Sequence, residues 1–313
     1  MRSDFVAQLI IEMEANPDII FLTGDLGFHA LEPLKEKFGS RFINVGIAEA
    51  NMVGVAAGLA LAGKKVITYS IASFMTMRCY EQIRTDVAYH NLDVKFIGVG
   101  GGYSYGDQGV THHTIEDIAI MRALPNVKVV CPGYSWETTE ATKALLRDTG
   151  PVYLRLGKKI PPTFAVPTGP FELGKGFILR TGTENDTKKA DGLLVCAGNV
   201  VHTAIEAADI LSAQGISLCV ISMPSIKPLD TALLIESTTN VRGVFTLEEN
   251  SVIGGLGSAV AETLLASDAP KTKFHAFGLP DKFIKTVGSR EFLSASIGID
   301  AASIARTIAE ILK

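Results

Sequence analysis

The chain has 313 residues, a formal net charge of −4 and an apolar share of 47%. Such a length holds about two domains of ~150 residues, and the apolar share supplies a sizeable core for both. The mild acidity and the lack of basic clusters exclude nucleic acid as the main partner, and no apolar run reaches the ~18 residues that span a membrane.

Cys79, Cys131, Cys196 and Cys219 are scattered without a CxxC pair. Their spacing fits a reducing compartment and offers neither a disulfide framework nor a zinc site. The opening segment reads as an amphipathic helix with Phe5, Leu9 and Met13 on one face, not as a signal peptide. A cytoplasmic protein is expected.

Strand-like runs then alternate with helix-like stretches. Ile19–Leu22, Phe42–Val45, Lys65–Tyr69, Val94–Val99, Val127–Val130 and Val152–Arg155 each read as a buried strand. This alternation predicts an α/β domain with an open, mostly parallel sheet flanked by helices over residues 1–160. Pro161, Pro162, Pro167, Gly169 and Pro170 mark a linker, placed at 161–188. The pattern restarts over 189–313, with strands at Gly192–Cys196, Ser217–Ile221 and Val244–Leu247 and helices at Thr203–Gln214 and Ala301–Leu312. That is a second, smaller α/β domain.

Three clusters carry chemistry. Gly46-Ile47-Ala48-Glu49 sets one carboxylate between a strand and the apolar helix Met52–Ala62, which is expected to be buried on most sides. Glu49 is either a first-turn acid favoured by the helix dipole or a desolvated carboxyl suited to acid–base work. In Ser73–Gln82, Phe74, Met77 and Tyr80 fall at i, i+3 and i+6. Such a stripe is either core or the wall of a cavity for a flat heteroaromatic ring.

The third cluster, Tyr103–His113, is a polar loop after the strand ending at Val99. It leads into a helix beginning near Thr114, with Thr114 and Asp117 at capping-box spacing. Loops at the carboxyl ends of parallel strands are where ligands bind. His112 is read as functional there and His113 as packing on, or capping, the helix. The glycine-rich stretches fail as nucleotide fingerprints, because Tyr103 and Val260 stand where a third glycine belongs and no P-loop occurs.

Gly46–Glu49, Ser73-Phe74 with Tyr80, Gly109-Val110-Thr111-His112 and Arg122–Asn126 resemble the pyrimidine-binding domain of transketolases. Ser225–Asp230 and Glu248–Gly257 resemble the C-terminal domain of the same enzymes. The likeness covers essentially the whole chain in motif order. It implies thiamine diphosphate as cofactor, with Glu49 hydrogen-bonded to the pyrimidine N1′ so that the ring takes the proton from the thiazolium C2. Ile47, Phe74, Met77 and Tyr80 are then the residues expected against the pyrimidine, and Asp25 the acid near the thiazolium. His112 matches a histidine beside the reacting carbonyl.

For substrate the likeness implies Arg2, His29, Gln108 and Lys158, with Arg155 a less favoured substitute for Lys158. Several positions depart from the family pattern. His29 stands in place of a serine, Gly100 in place of a histidine, Gln108 in place of the acid of DGxTH, and Met77 where an aromatic is common. Each lost polar contact weakens phosphate or hydroxyl recognition by about 1–3 kcal/mol, which implies a different ketose phosphate or an acceptor without phosphate.

Transketolases hold the diphosphate and Mg²⁺ through a Gly-Asp-Gly motif on a preceding domain, and no such motif occurs here. The resemblance therefore implies the C-terminal subunit of a split transketolase, inactive alone. Its N-terminal partner subunit would hold most of the Mg²⁺ shell, in a heterotetramer acting on a sugar. The β subunit of a 2-oxoacid dehydrogenase and a non-catalytic regulatory subunit are the alternatives. The Thr111-His112 pair and Arg122–Asn126 weigh against the first, and the retained Glu49 against the second.

Overall fold

The computed structural model describes residues 1–27, 30–158, 170–182 and 190–313. His29 and much of the expected linker lie outside the described residues. Within them, the strands in chain order are β1 (Ile19–Thr23), β2 (Phe42–Asn44), β3 (Lys65–Ile71), β4 (Val94–Val99), β5 (Lys128–Val130) and β6 (Val152–Leu156). They continue as β7 (Phe177–Arg180), β8 (Gly192–Cys196), β9 (Leu218–Ser222), β10 (Ser225–Lys227), β11 (Gly243–Ser251) and β12 (Lys273–Leu279).

They form two sheets, of order β10-β5-β6-β4-β3-β1-β2 and β12-β11-β8-β9-β7. All pairings are parallel except β10 with β5 and β7 with β9. The expected pair of mostly parallel α/β sheets is present. β4, β6, β8 and β9 are buried at every residue, as strands covered by helices on both faces must be. That is why β8 and β9 read as near-continuous apolar runs, while β4 and β6 carry one buried cation each, Lys95 and Arg155.

The register positions the site. Thr23 pairs with Tyr69, and Ile71 with Val99, so the turns after β1, β3 and β4 leave the sheet along one edge. Asp25, Ser73 and the loop after Val99 emerge there together.

The structure corrects four expectations. The apolar helix runs Glu49–Leu61 and buries Glu49, Met52, Val53, Ala56 and Ala57. Its other face, with Asn51, Gly54, Val55, Gly58 and Leu61, is exposed, so it is not buried on most sides. Composition does not separate a buried face from an uncovered one when both are apolar. Asp117 is not part of a capping box: the helix Asp117–Ala123 starts there, and its carboxylate accepts from Arg155 and Tyr153 instead.

The stretch placed as linker also carries structure. Phe177–Arg180 is β7, an edge strand of the second sheet, and Phe171 and Phe177 pack on Trp136 of the first domain at 6.1 and 5.2 Å between ring centroids. Finally, the two sheets do not divide cleanly by chain order. β10, from the second half, pairs antiparallel with β5 as the edge of the first sheet. Three residues beside a proline carry no periodicity to read, and only packing recruits them.

Arg290–Leu312 is long and apolar enough by composition to cross a membrane. It folds as two helices, Arg290–Ser296 and Ala301–Leu312. The second buries Ile304, Ala305, Ile308 and Leu312 in the core.

Glu137 sits buried where the two domains meet. Its carboxylate accepts from the Gly133 N–H and the Ser222 hydroxyl, both at 2.6 Å. Burial pushes its pKa up to about 7, against the pull of those two donors. A carboxyl that holds its proton more tightly when folded stabilises most below its unfolded pKa of ~4.3, and that contribution is lost as pH rises through the folded value. Between pH ~4 and ~7 this group is expected to cost the fold roughly 3 kcal/mol. Glu137→Gln should remove that part of the slope, read as the difference between wild-type and variant urea-unfolding free energies at pH 5 and pH 8.

Candidate active site

Glu49 opens its helix with a side chain only 4% exposed. Ser70 on β3 donates to its Oε1 at 3.4 Å, and Gly24 after β1 lies beside it: a Cβ there would stand 3.8 Å from Oε1 and only 3.3 Å from the Gly46 carbonyl oxygen. The sheet edge therefore delivers one carboxylate against the ends of two strands. Asp25, next along, is exposed and accepts from Asn44 Nδ2 at 3.1 Å, which ties it to β2 at the rim. Ile47 is 78% exposed on the same side.

Arg78 is the partner of Glu49 that sequence reading does not reveal. Its Nη1 donates to Glu49 Oε2 at 3.1 Å, and its guanidinium carbon lies 3.7 Å from the centroid of the Phe74 ring. The Phe74 ring in turn meets His112 edge-on, 5.2 Å between centroids. Arg78 and the Phe74 ring thus connect Glu49, at the start of one helix, to His112 on the loop after β4.

The expected stripe is only partly realised. The helix Ala72–Met77 ends before Tyr80, and a three-residue helical turn, Tyr80–Gln82, leads into a π-helix at Ile83–Ala88. Phe74 and Met77, the latter 41% exposed, stay on the site side. Tyr80 turns its hydroxyl to the Ile120 carbonyl at 2.8 Å and packs on the core. A break of the helix at Arg78-Cys79 destroys the i, i+6 relation on which the stripe rests.

The loop after β4 is closed at its base by paired backbone bonds between Gly102 and Thr114, at 2.7 and 3.0 Å. His112 lies on it, with Nδ1 2.9 Å from the Thr111 hydroxyl. Burial, then the positive Arg78, hold its imidazole below the usual histidine range, so it is neutral at pH 7 and free to accept or relay a proton. His113 is buried against Tyr103, as its packing reading requires.

Tyr105 is the second residue that the sequence does not single out. Its ring lies 5.9 Å from His112, the Lys158 ammonium sits 4.5 Å above it, and the positive Arg2 lies close enough to act on its phenol and on that of Tyr69. Gly100 has φ +84°, and a Cβ there would meet Tyr105 Cε2 at 2.0 Å. The Tyr105 ring therefore fills the space that a side chain at position 100 would need. Arg2 and Lys158 meet around this tyrosine, while the Gln108 side chain is exposed and donates to its neighbour Asp107, at 3.4 Å. Arg155 is not available to substrate, being 5% exposed and locked onto Asp117 at 2.7 Å.

The second glycine-rich motif is closed on itself. Glu248 accepts from the N–H groups of Leu256 and Gly257, both at 2.8 Å, at the start of the helix Leu256–Leu265. A Cβ on Gly255 would lie 2.1 Å from Glu248 Oε2. The helix N-terminus that would attract an anion holds the chain's own carboxylate.

Residues 2–162 match the pyrimidine-binding domain of transketolases, and residues 182–304 match the transketolase C-terminal domain. The chain belongs to the transketolase family. It is 34% identical to a subunit of the apulose-4-phosphate transketolase of Phocaeicola vulgatus, over 100% of this chain and 97% of that one. It is also 34% identical to a 6-deoxy-6-sulfo-D-fructose transketolase subunit of a Clostridium species, over 99% and 94% of the two chains.

Among solved structures, a split-gene transketolase described as an inactive β4 tetramer superposes with a TM-score of 0.89. It is 35% identical, with 99% of this chain and 97% of that chain covered. This transketolase chain thus corresponds to the pyrimidine-binding and C-terminal domains of the family, in one piece.

The pocket fits the family's cofactor by its own contacts. The Arg78 guanidinium is a flat N–H donor that lies on the Phe74 face while bonding Glu49. A pyrimidine ring in its imino form, which carries an N1′–H, needs the same two contacts. Among the described residues, no group of three His, Cys, Asp or Glu side chains is placed to hold a metal.

Proposed function

We propose that this chain is the C-terminal subunit of a two-chain transketolase that moves a two-carbon ketol unit from a ketose, most simply a phosphorylated one, to an aldose. The observation that carries this reading is the buried Glu49 linked through Arg78 to Phe74, whose ring meets His112, in a chain whose relatives are themselves transketolase subunits. Thiamine diphosphate, when bound, supplies the carbon nucleophile and the electron sink.

The chain's own residues do the rest. Glu49 takes the ring N–H that Arg78 otherwise provides, and the Arg78 side chain, 45% exposed, turns out to solvent. Phe74 offers the stacking face and Met77 a polarisable thioether beside it. His112, neutral at pH 7, stands where charge develops on the transferred carbonyl and hydroxyl groups. Arg2 and Lys158, around Tyr105, give the substrate end a positive flank. Two relatives are named for a sugar phosphate and a sulfo sugar, and such an anionic end suits this flank.

The diphosphate and Mg²⁺ belong to the N-terminal partner subunit in this reading. The uncovered apolar face of the helix Glu49–Leu61 adjoins Glu49 and suits that partner's approach, in a heterotetramer of two copies of each chain. Four free, buried cysteines are in keeping with a cytoplasmic location.

Co-expression with the N-terminal partner, thiamine diphosphate and Mg²⁺ is expected to yield ketol transfer, measured with a panel of ketose phosphates. The isolated chain is expected to show none. Activity of the isolated chain, or 2-oxoacid decarboxylation by the complex in place of ketol transfer, would overturn the proposal.

A further inference from the structure

The second domain contributes neither Glu49, Phe74 nor His112, yet it grips the loop that carries His112 and Tyr105. Glu249, on β11 and with its side chain fully buried, is the hub. Its Oε1 accepts the Tyr103 N–H at 3.1 Å, inside the loop. Arg290, at the start of the helix Arg290–Ser296, donates its Nε to both oxygens of Glu249, at 2.8 and 3.0 Å. The backbone carbonyl of Glu249 accepts from Arg155 Nη2 at 2.9 Å, and the same nitrogen bonds the Thr114 carbonyl at the loop's other end, also at 2.9 Å.

Further bonds follow the loop outward. Arg290 Nη2 reaches the Asn199 carbonyl at 3.3 Å, and Asn199 Nδ2 donates to the Ser104 hydroxyl at 3.2 Å. The Gly288 N–H donates to the Gly106 carbonyl at 3.2 Å. Gly102 has φ +64°, and a Cβ there would lie 2.3 Å from Glu249 Cγ. Glycine at this position lets the two domains close.

We propose that Arg290, acting through Glu249, is a positioning residue of the ketol transfer: it fixes the Gly102–Thr114 loop so that Tyr105 and His112 meet the substrate. This rests on the function proposed above. The physical reason is that a catalytic loop on an exposed edge loses rate when its groups stray by about 1 Å. A buried, charge-assisted pair holds far better than neutral loop contacts. The first domain alone supplies the loop's base, whereas the Tyr103–Gly106 limb is tied from outside.

The test compares Arg290→Met, Arg290→Lys and wild type by amide hydrogen exchange on the full chain and by kinetics of the assembled enzyme. Loss of bonds to a charged group is expected to speed exchange of the Gly102–Thr114 segment by about 10–100-fold. Exchange of the helix Glu49–Leu61 should stay at its wild-type rate. In the complex, the donor KM should rise and kcat fall with the half-saturating cofactor concentration unchanged, and Arg290→Lys should lie between.

Unchanged loop exchange would overturn the proposal, as would equal acceleration in both segments, the mark of a merely structural role. If Arg290→Met does not fold, Asn199→Ala carries the same comparison through the Ser104 contact. If the wild-type complex shows no ketol transfer, the proposed function falls, while the exchange result still decides whether the domain grips the loop.

Discussion

Glu49→Ala, in the assembled two-chain enzyme, is expected to lower kcat for ketol transfer by about 10²–10⁴-fold, the usual contribution of a positioned acid–base group. The loss should come from chemistry and not from unfolding. Glu49 is buried, but its charged partner Arg78 is 45% exposed, so removing the carboxylate leaves a guanidinium that water solvates. The cost to the fold should stay within about 1 kcal/mol. Steady-state turnover, together with deuterium exchange at the cofactor's reacting carbon, separates the two effects. Normal turnover of the variant would remove Glu49 from the mechanism.

Arg155→Met is expected to be the most damaging single change to the fold, by about 3–5 kcal/mol, since it strands a buried carboxylate. Asp117 is fully buried and accepts from Arg155 Nε at 2.7 Å, from its Nη2 at 3.2 Å and from the Tyr153 hydroxyl at 2.6 Å. With Arg155 gone, only Tyr153 among the described residues remains for that charge. The same guanidinium also joins Thr114 to Glu249, so the loss loosens the domain contact as well. Chemical denaturation reads the change. Adding Asp117→Asn should recover much of it, because neither charge is then left alone. A double variant no more stable than Arg155→Met would show that the packing of Arg155, not its charge, is what counts.

Much of the fold is legible because the signal is local. The apolar runs of β4, β6 and β8 announce strands covered on both faces, and the helices between them announce a parallel sheet. The strands that escape sequence reading lack that signal. β12 is half exposed, and β10 is three residues ahead of Pro228. Their strand character comes from the neighbours they pair with.

The site divides in the same way. Glu49, Phe74 and His112 sit in short motifs at strand ends, so sequence order alone points to them. Arg78 lies within the Ser73–Gln82 cluster, yet nothing local shows that it turns 29 positions back to Glu49. At Tyr80 the spacing misleads in the opposite way: it suggests one continuous helical face, and the chain breaks the helix there.

The sequence by itself determined the two-domain α/β class and the family, and it singled out the acid to which the chemistry is assigned in the proposal. These depend on hydrophobic period and on motifs a few residues long. Only the tertiary structure decided which side chains meet. Tyr103 and Glu249 are 146 positions apart, and their hydrogen bond exists because β10 and the phenylalanines before and within β7 draw the second domain onto the first. Contacts at such separation follow from how the whole chain packs, which no local pattern of residues encodes.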